Sequence, residues 1–483
     1  MLFACILLPM LGAAGLFLWR PADRRACHAW TIAFTLATSL CVLWCLLAGE
    51  SQVTLLTLSP ALDISFKLDG LGRLFGGMVA FLWPLATLYA FEYMEHEGGE
   101  NHFFGFYMLS YGVTLGIAFA EDLVTLYIFY ELLSLSTLFL VMHGMKAKSV
   151  HAGRKYIYYM LGGAAMGFLA LAFVLHYSAS SSFVYGGIPS LAAAPSSLLL
   201  PMFVLGFLGF GVKAAVFPFH SWLPTAGVAP TPVTALLHAV AVVKAGVFAV
   251  IRCSYYCFGA ARVRGTWAQA VCLVIAMASI LYGSAMAVRE PHMKRKLAYS
   301  TMSNLSYVLL GAMLLTADGL EGGLLHMVYH ALMKITLFSC VGAVMVKTGR
   351  SYAQELRGLG KRMPFTLGVF LFAGVELVGI PPFVGFQSKW ALAEAAVGGG
   401  TALGVAAVCV LLISAVLTSI YMLVPGLSAF FLPLDETGLE DRCYDPGWRM
   451  KAPLILLCVV MLGLAFASQP LGAFIARVAR GLV

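Results

Sequence analysis

Six ionisable side chains lie deep within long apolar segments, where a charge is costly: Glu131, Lys213, Lys244, Lys334, Glu376 and Lys389. Lys244 follows Pro232 by twelve residues, which is about 18 Å at ~1.5 Å per helical residue, near the middle of a hydrocarbon core about 30 Å thick. A charge there costs roughly 2.5–3.5 kcal/mol. We therefore expect these groups to face a bundle interior, one another or water. Static ion pairs explain only part of the set, because four lysines outnumber two glutamates, and an unpaired buried lysine tends to lose its proton. The set indicates proton handling.

A ladder of three polar groups occurs in the segment HMVYHALMKITLF. His326, His330 and Lys334 are spaced i, i+4 and i+8, which places them on one face of a helix. A single histidine is often a satisfied core residue. Three such groups in an apolar helix favour a hydrated proton path.

Two apolar segments are broken by proline beside a lysine. GFGVKAAVFPFHSWLP holds Lys213, Pro218 and His220, and VELVGIPPFVGFQSKW holds Pro382 and Lys389. Proline removes a backbone N–H and leaves carbonyls unpaired, and at membrane depth these are satisfied only in protein or in a water-lined cavity. The breaks are expected to admit water to the lysines. Interrupted segments in both halves also indicate inverted repeats.

The composition is that of a polytopic membrane protein. The 483 residues are 61% hydrophobic and 11% charged, with a mean hydropathy of +0.90, whereas soluble domains are about 45–50% apolar and about 25% charged. Apolar runs near 20 residues predict an all-α fold of about fourteen transmembrane helices. The predicted spans are 2–18, 27–48, 72–93, 103–120, 122–143, 156–177, 197–226 (broken), 231–252, 266–288, 297–316, 322–346, 364–396 (broken), 401–424 and 452–468.

These spans predict a single membrane domain over residues 1–483. Its parts are helices 1–3 in 1–102, a first repeat (helices 4–8) in 103–252, an inverted second repeat (helices 9–13) in 266–424, and the last helix and tail in 452–483. Loops after odd-numbered helices hold most of the Lys and Arg residues, including Arg442 in the long polar segment Pro433–Lys451. This bias predicts that these loops are cytoplasmic and that both termini are outside. It also accounts for the net charge of +8 without a nucleic-acid partner.

The sequence shows no ligand set for an iron–sulfur cluster, haem or zinc, and no Gly-rich phosphate loop. Cys41/Cys45 and Cys253/Cys257 are each spaced by four and are interpreted as small packing residues. We therefore expect no cofactor, metal or catalytic site on this chain, so any redox cofactors lie on other subunits.

Several motifs, in this order and spacing, resemble those of a known family. They are FYELLSL, GVKAAVFPFHSWLP, APTPVTALLHAVAVVKAGVFAVIR, KRKLAYSTMSNLSY, HMVYHALMKITLF and GIPPFVGFQSKW. The chain resembles the antiporter-like subunits of respiratory complex I, of Mrp-type Na⁺/H⁺ antiporters and of energy-converting hydrogenases. The resemblance implies fourteen helices, two inverted five-helix repeats and water-linked lysines across the membrane midplane. It implies that Glu131 pairs with Lys213, that Lys244 is the central relay and that Lys389 closes the path.

The resemblance also implies work beside similar subunits in a larger complex of a bacterial or archaeal cytoplasmic membrane. The leading hypothesis is a proton-translocating subunit, coupled to a redox step in partners like those of an NADH:quinone oxidoreductase or a membrane-bound hydrogenase. The alternatives are Na⁺/H⁺ exchange in an Mrp complex and a membrane anchor that moves no ions. Oxygen groups that could favour sodium are only suggestive: Thr231, Thr234, Ser300, Thr301 and Ser303.

The sequence departs from the family pattern at several positions. Gly227 and Asn304 stand where histidine is common, Lys389 stands where one complex I member has glutamate, and Glu376 matches no family position. These departures favour an Mrp-like or hydrogenase-like relative. The predicted relay comprises Glu131, Lys213, His220, Lys244, His326, His330, Lys334, Lys389 and Glu376.

Overall fold

A computed structural model describes residues 1–49, 51–59, 62–178, 180–434 and 444–483. The N-terminal part contains α1 (Leu2–Trp19), α2 (Arg24–Ala48), a hairpin of β1 (Gln52–Ser59) and β2 (Leu62–Lys67), and α3 (Gly70–Met94). The next part contains α4 (Glu100–Phe119), α5 (Leu123–Val141), α6 (Ala147–Tyr177), α7 (Ser196–Gly211), α8 (Trp222–Ala226), α9 (Thr231–Ala239), α10 (Val242–Ile251) and α11 (Ala260–Val263).

The second half of the chain is also helical. It contains α12 (Trp267–Arg289), α13 (Met293–Met313), α14 (Ala317–Thr348), α15 (Pro364–Val378), α16 (Val384–Gly398), α17 (Ala402–Phe431), α18 (Trp448–Phe466) and α19 (Gln469–Ala479). Residues 435–443 of the predicted cytoplasmic segment 433–451, with Arg442, lie outside the described residues.

Eleven helical spans in the described part of the chain are long and apolar enough to cross a membrane, counting α9 to Phe258 as one. The chain is therefore a multi-pass integral membrane protein. Three of the fourteen predicted spans fall outside this set. One of the three is α13, whose segment from Lys296 to Tyr307 contains several polar residues that lower the mean hydropathy of the helix. The other two are the spans predicted to be broken.

The structure has both predicted breaks. In the seventh predicted span, α7 ends at Gly211 and the short α8 begins at Trp222. Lys213 and Pro218 lie in the interruption between these two helices. The twelfth is divided between α15 and α16, and Lys389 lies in α16, after the break. Lys213 therefore lies within its break, whereas Lys389 lies in the helix that follows its break.

The eighth predicted span is present, but a local interruption divides it into α9 and α10. The chain leaves helical geometry at Val240 and Ala241, whose backbone N–H groups both bond to the carbonyl of Leu236. The segment VTALLHAVAVVKAG has no proline or internal glycine to mark this point. Beyond α10 the helix widens into a π-helical turn at Arg252–Phe258.

The prediction of an all-α fold missed the hairpin. β1 and β2 pair antiparallel, with Val53 opposite Phe66 and Thr54 opposite Ser65. β-Branched residues such as Val53, Thr54 and Thr57 favour strands, and Phe66 also bridges to Ala120 at the end of α4. The hairpin is thus held against the helical body. The short C-terminal α19 was not predicted either.

The bundle has a buried centre and an apolar outer layer. The α9–α10 span is completely buried, and α14 and α4 are nearly so, whereas α2, α17 and α18 bury only one face. The outward faces of these peripheral helices carry exposed Leu, Val and Phe side chains, as expected next to lipid or other apolar subunits. Of the six ionisable residues predicted to be costly, Lys244 and Lys334 fall on the buried α10 and α14, whereas the other four lie on α5, α15, α16 and the segment after α7.

Candidate functional site

Lys213 and Glu131 lie together at the break after α7. Lys213 Nζ is 3.7 Å from Glu131 Oε1, and the lysine side chain is 1% exposed while the glutamate is 25% exposed. The ammonium also donates to the backbone carbonyl of Tyr130 and lies 3.2 Å from the centroid of its ring. The Tyr130 hydroxyl donates to Phe210 O at 2.8 Å, which ties α5 to the last turn of α7. The pair implied by the resemblance is therefore formed in space, and its role as a switch stays a prediction.

His220 lies on the far side of the same break. Its ring is 4.6 Å from the Tyr282 ring, and its Nδ1 atom has no hydrogen-bond partner in the described part of the chain. Nearby, Tyr159 OH is 2.7 Å from Ser221 Oγ, and Lys155 Nζ donates to Thr225 Oγ1 at 3.2 Å. Polar groups of α6 therefore line the approach to the break.

Lys244 and His330 form the closest contact among the predicted relay residues of the central helices. Lys244 Nζ is 2.6 Å from His330 Nδ1, and both residues are completely buried. The His330 ring stacks against His326 with centroids 5.9 Å apart. Nε2 of His330 has no hydrogen-bond partner among the described residues. One ring nitrogen thus faces the lysine, and the other has no protein partner among the described residues.

His326 extends this contact from α14 to α13 and α16. Its Nδ1 is 3.0 Å from Ser388 Oγ, and its Nε2 is 3.2 Å from Asn304 Oδ1. Asn304, which departs from the histidine common in the family, therefore still supplies a polar partner. The neighbour of Ser388 in sequence, Lys389, donates to Leu377 O and Val378 O at 2.7 and 2.9 Å.

Lys334 points away from this line. Its Nζ donates to Ser300 Oγ at 2.7 Å and to Leu297 O at 3.2 Å. The Ser300 hydroxyl is in turn 2.8 Å from Tyr421 OH on α17. The predicted ladder on α14 is buried as a unit, but its third member contacts α13 and, through Ser300, α17.

Glu376 is completely buried near the end of α15, and neither carboxylate oxygen has a hydrogen-bond partner in the described chain. The nearest polar groups are the backbone amides of Val384 and Gly385 at the start of α16. No ion pair joins Glu376 to Lys389 among the described residues. A Cβ atom at Gly385 would lie 1.7 Å from the carbonyl oxygen of Glu376, so the two helix ends meet only because residue 385 is glycine.

Sequence analysis missed His238, which lies on α9 just before the interruption at Val240. It is completely buried, and both ring nitrogens lack a hydrogen-bond partner in the described chain. Its ring centroid is 4.7 Å from that of Phe338, and Lys334 and Lys244 lie within electrostatic reach. The available signal was a histidine six residues before Lys244 in an otherwise apolar run.

The site of Lys213 and the site of Lys244 are next to each other, because α10, which carries Lys244, packs on the backbone around Lys213. A Cβ at Gly246 would lie 2.9 Å from Lys213 Cβ, so α10 packs directly on the break that holds Lys213. No side-chain hydrogen bond joins Lys213 to Lys244 among the described residues. A proton passing between them would therefore need water.

The group of described side chains that could hold a metal ion lies outside the predicted relay. Among the described His, Cys, Asp and Glu residues, the group Cys5, Cys41 and Cys45 brings three ligand atoms within 4.8 Å of one another. None of the predicted relay residues belongs to that group.

Two family descriptions match the chain. Residues 120–418 match the family described as NADH:quinone oxidoreductase/Mrp antiporter, TM. Residues 57–104 match that described as NADH-Ubiquinone oxidoreductase (complex I), chain 5 N-terminus. The first match alone spans more than half of the chain.

Similar proteins include both NADH-quinone oxidoreductase subunits and Na(+)/H(+) antiporter subunits. NADH-quinone oxidoreductase subunit N of Desulforudis audaxviator is 32% identical over 426 residues, covering 86% of this chain and 83% of that protein. A Na(+)/H(+) antiporter subunit of Alkalihalophilus pseudofirmus is 33% identical over 351 residues, covering 68% of this chain and 43% of that protein. The chain thus matches less than half of the latter. The solved Mrp complex from Dietzia sp. DQ12-45-1b contains a chain of the same fold, with a TM-score of 0.85, 24% identity and coverage of 100% and 97%.

Proposed function

The chain belongs to the family of antiporter-like membrane subunits shared by NADH:quinone oxidoreductases and Mrp antiporters, and from that premise we propose that it moves protons through a buried relay of Glu, Lys and His side chains. The observation that carries the proposal is the contact between Lys244 and His330 at 2.6 Å. Each of the two groups carries a positive charge when protonated. Because they are buried and in contact, they repel each other if both are protonated. The pair therefore favours one shared proton, which is what a relay requires.

The proposed route has two parts joined by water. Glu131 and Lys213 form the first, where movement of the carboxylate would change how firmly the lysine holds its proton. Lys244, His330 and His326 begin the second, which continues through Ser388 to Lys389. Lys334 and its partner Ser300 form a side branch toward α17.

The two ends of the route meet polar surroundings. On the entry side, His220 lies by Lys155 and Tyr159 of α6. On the exit side, a cavity of about 540 Å³ is lined by charged residues of α14, α16 and the C-terminal segment. Glu394 in its wall is five residues beyond Lys389, about 7.5 Å along the helix. We assign this cavity as the outer mouth of the path.

The topology that fits this route has fourteen membrane crossings. The eleven long apolar spans are supplemented by α13, by α7 with α8, and by α15 with α16. Residues 103–252 would form one five-helix repeat and 266–424 its inverted counterpart, after the first three helices in 1–102 and before the last helix and tail in 452–483. Both termini would then lie outside a bacterial or archaeal cytoplasmic membrane, because the basic loops face the cytoplasm.

Na⁺/H⁺ exchange is the second candidate function. Na⁺ prefers oxygen ligands, and the buried hydroxyls of Ser284, Ser303 and Ser414 lie 2.6–3.2 Å apart where α12, α13 and α17 meet. Of the other suggestive residues, Thr231 bonds to Tyr93 OH and Ser300 to Lys334. The serine cluster is the feature that favours sodium, and the Alkalihalophilus relative, named for a Na(+)/H(+) antiporter, supports keeping this alternative.

The proposed partners are other membrane subunits of a larger complex, including similar antiporter-like chains, with the coupled redox or ion-exchange step on those partners. The solved relative lies in such a complex, the Mrp complex of Dietzia. A membrane anchor that moves no ions would not require the buried contact between Lys244 and His330.

The test is ion flux through the native complex, purified by a tag on this chain and reconstituted in liposomes that contain a pH-sensitive dye. A proton-moving subunit gives proton flux that is lost in Lys244→Met. Flux that requires Na⁺ and is lost in Ser303→Ala assigns exchange instead. Flux unchanged in Lys244→Met, in complexes that contain the variant chain, overturns the relay.

A further inference from the structure

Three thiols converge where the first turn of α1 meets the last turns of α2. Cys5 Sγ lies 3.3 Å from Cys41 Sγ and 3.7 Å from Cys45 Sγ. Cys5 and Cys45 are buried, Cys41 is partly exposed, and all three are free thiols. The spacing of Cys41 and Cys45 by four had indicated only a shared helix face. Cys5 is 36 residues away from Cys41, so no sequence motif shows the third member.

The sulfur triangle has the dimensions of a metal site. With two sides of 3.3 and 3.7 Å and a third of at most 4.8 Å, the point equidistant from the three sulfurs lies at most about 2.4 Å from each, and a Zn–S bond is ~2.3 Å. A cation at that point would bind all three sulfurs without movement of α1 or α2. Simple packing of small side chains does not require this convergence.

An oxygen atom also lies beside the sulfur triangle. The carbonyl oxygen of Met1 lies 3.6 Å from Cys5 Sγ and 4.0 Å from Cys41 Sγ. Cys5 is on the first turn of α1, where the positive end of the helix dipole stabilises a thiolate. Cys253 and Cys257 have the same spacing by four, but no third ligand atom completes a group there among the described residues.

We propose that Cys5, Cys41 and Cys45 bind a thiophilic d¹⁰ cation, Zn²⁺ or Cu⁺, which ties α1 to α2. Thiolates select these ions. On binding, the three thiols release three protons to solvent and three metal–sulfur bonds form, with no change of oxidation state. Zn²⁺ would take the Met1 carbonyl or a water as its fourth ligand, because its structural sites have four ligands. Cu⁺ would need only the three sulfurs.

The experiment uses the full-length chain purified under reducing conditions and measures bound metal by elemental analysis. Zn²⁺ and Cu⁺ are then added in separate titrations, and Cd²⁺ is added as a probe whose thiolate bonds absorb in the ultraviolet. We expect one metal ion per chain, a cadmium–thiolate band, and a higher thermal unfolding temperature with metal than without. The Zn²⁺ and Cu⁺ arms distinguish the two ions by which one raises the unfolding temperature more at equal concentration.

The key variant is Cys41→Ser, because Cys41 is the partly exposed member and its loss disturbs packing least. It should lower metal affinity by at least about 100-fold, above the range for groups that merely support ligands, and abolish the cadmium band and the metal-dependent stabilisation. Cys253→Ser is the matched control and should bind as wild type does. Equal binding in Cys41→Ser and wild type, no metal binding by the reduced wild-type chain, or a Cys5–Cys41 disulfide as the only product would each overturn the proposal.

Discussion

The ammonium nitrogen of Lys244 lies 2.6 Å from Nδ1 of His330, and this contact joins α10 to α14 in the most buried part of the bundle. If Lys244 carries the proton, His330 accepts its hydrogen bond at Nδ1 and holds its own proton on Nε2, which has no partner among the described residues. Loss of a proton from Nε2 and gain of one at Nδ1 would move one charge across the ring. The geometry thus supports transfer from α10 toward His326.

The first prediction concerns Lys244 itself. Lys244→Met should reduce ion flux by at least about 100-fold, the lower end of what a positioned proton-transfer group contributes. Lys244→Arg should also impair flux strongly, because arginine keeps the charge but does not release its proton. The measurement is the initial rate of flux in reconstituted complexes of equal chain content. Lys296→Arg is the control, since Lys296 donates to Ala287 O and is not a member of the predicted relay. Normal transport by Lys244→Arg would make Lys244 an electrostatic fixture.

A second prediction addresses the contact between Glu131 and Lys213. Glu131→Gln keeps the size of the side chain but removes the charge 3.7 Å from the lysine, so flux should fall sharply and its pH profile should shift. Lys213→Met should be equally damaging, and the double variant should lose little more, because residues that act as a unit are not additive. Flux is measured across a pH series, so that a shift of its pH profile is detected.

The control for that pair is Glu121→Gln. Glu121 lies in the loop before α5, and its carboxylate accepts a hydrogen bond from Gln52 of β1. It should leave both rate and pH profile unchanged. Independent, additive losses in Glu131→Gln and Lys213→Met would show that the two residues do not work as a switch.

The sequence predicted the parts of this site that depend on spacing along one helix. His326 and His330 were expected on one face of α14 because they are one turn apart, and their rings stack in the structure. The family resemblance supplied the partner of Lys213. In contrast, Lys244 and His330 are 86 residues apart, so their contact depends on how α10 packs against α14, which no local pattern records.

The interruption at Val240 and Ala241 was unpredictable for a similar reason. Local propensity favours a continuous helix there, and tertiary packing overrides it, with α10 seated closely on Lys213 through Gly246. His238, directly before this interruption, was overlooked because a lone histidine in an apolar run is usually a core residue. The hairpin was not predicted, because its strands at 52–59 and 62–67 lie between the long apolar runs that indicate transmembrane helices.

A third prediction concerns the stability contributed by the ion pair between Asp69, directly before α3, and Arg252. Asp69 caps α3 and forms two hydrogen bonds with the guanidinium of Arg252, which is 1% exposed. Burial acts to raise the pKa of the Asp69 carboxyl, but Arg252 outweighs it and holds the pKa below its ordinary value. The stabilisation is therefore complete above the unfolded-state pKa of about 3.9 and is lost as the pH falls through the lower folded-state value.

Asp69→Asn should accordingly lower the free energy of unfolding by about 3 kcal/mol at pH 7, because it leaves Arg252 buried without its counter-charge. The difference from wild type should shrink only in strong acid. Asp318→Asn is the matched control, since that carboxylate is 74% exposed in its ion pair with Arg480 and such pairs contribute at most about 1 kcal/mol. Thermal unfolding in detergent across pH is the measurement, and equal losses in both variants would contradict the assignment.

The last prediction concerns Glu376, which has two possible roles: an exit-side partner of Lys389 that mirrors the pair of Glu131 and Lys213, or a neutral glutamate near the helix break. In the structure Lys389 donates to the carbonyls at the end of α15, and Glu376 faces the first amides of α16 without a hydrogen bond to them. A buried carboxylate without a counter-charge is costly, although the positive end of α16 offsets part of that cost. Loss of a proton from Glu376 would therefore be coupled to how closely α16 approaches α15.

If that coupling moves Lys389, Glu376→Gln should lower flux and shift its pH profile, because the amide keeps the shape but cannot ionise. Lys389→Ala in the same chain should then add little further loss. Glu121→Gln, whose carboxylate lies in the loop before α5 and contacts Gln52, is the control and should leave the rate and the pH profile unchanged. An unchanged rate and pH profile in Glu376→Gln would make the glutamate a neutral packing group at the break, and the exit would then depend on Lys389, Ser388 and His326 alone.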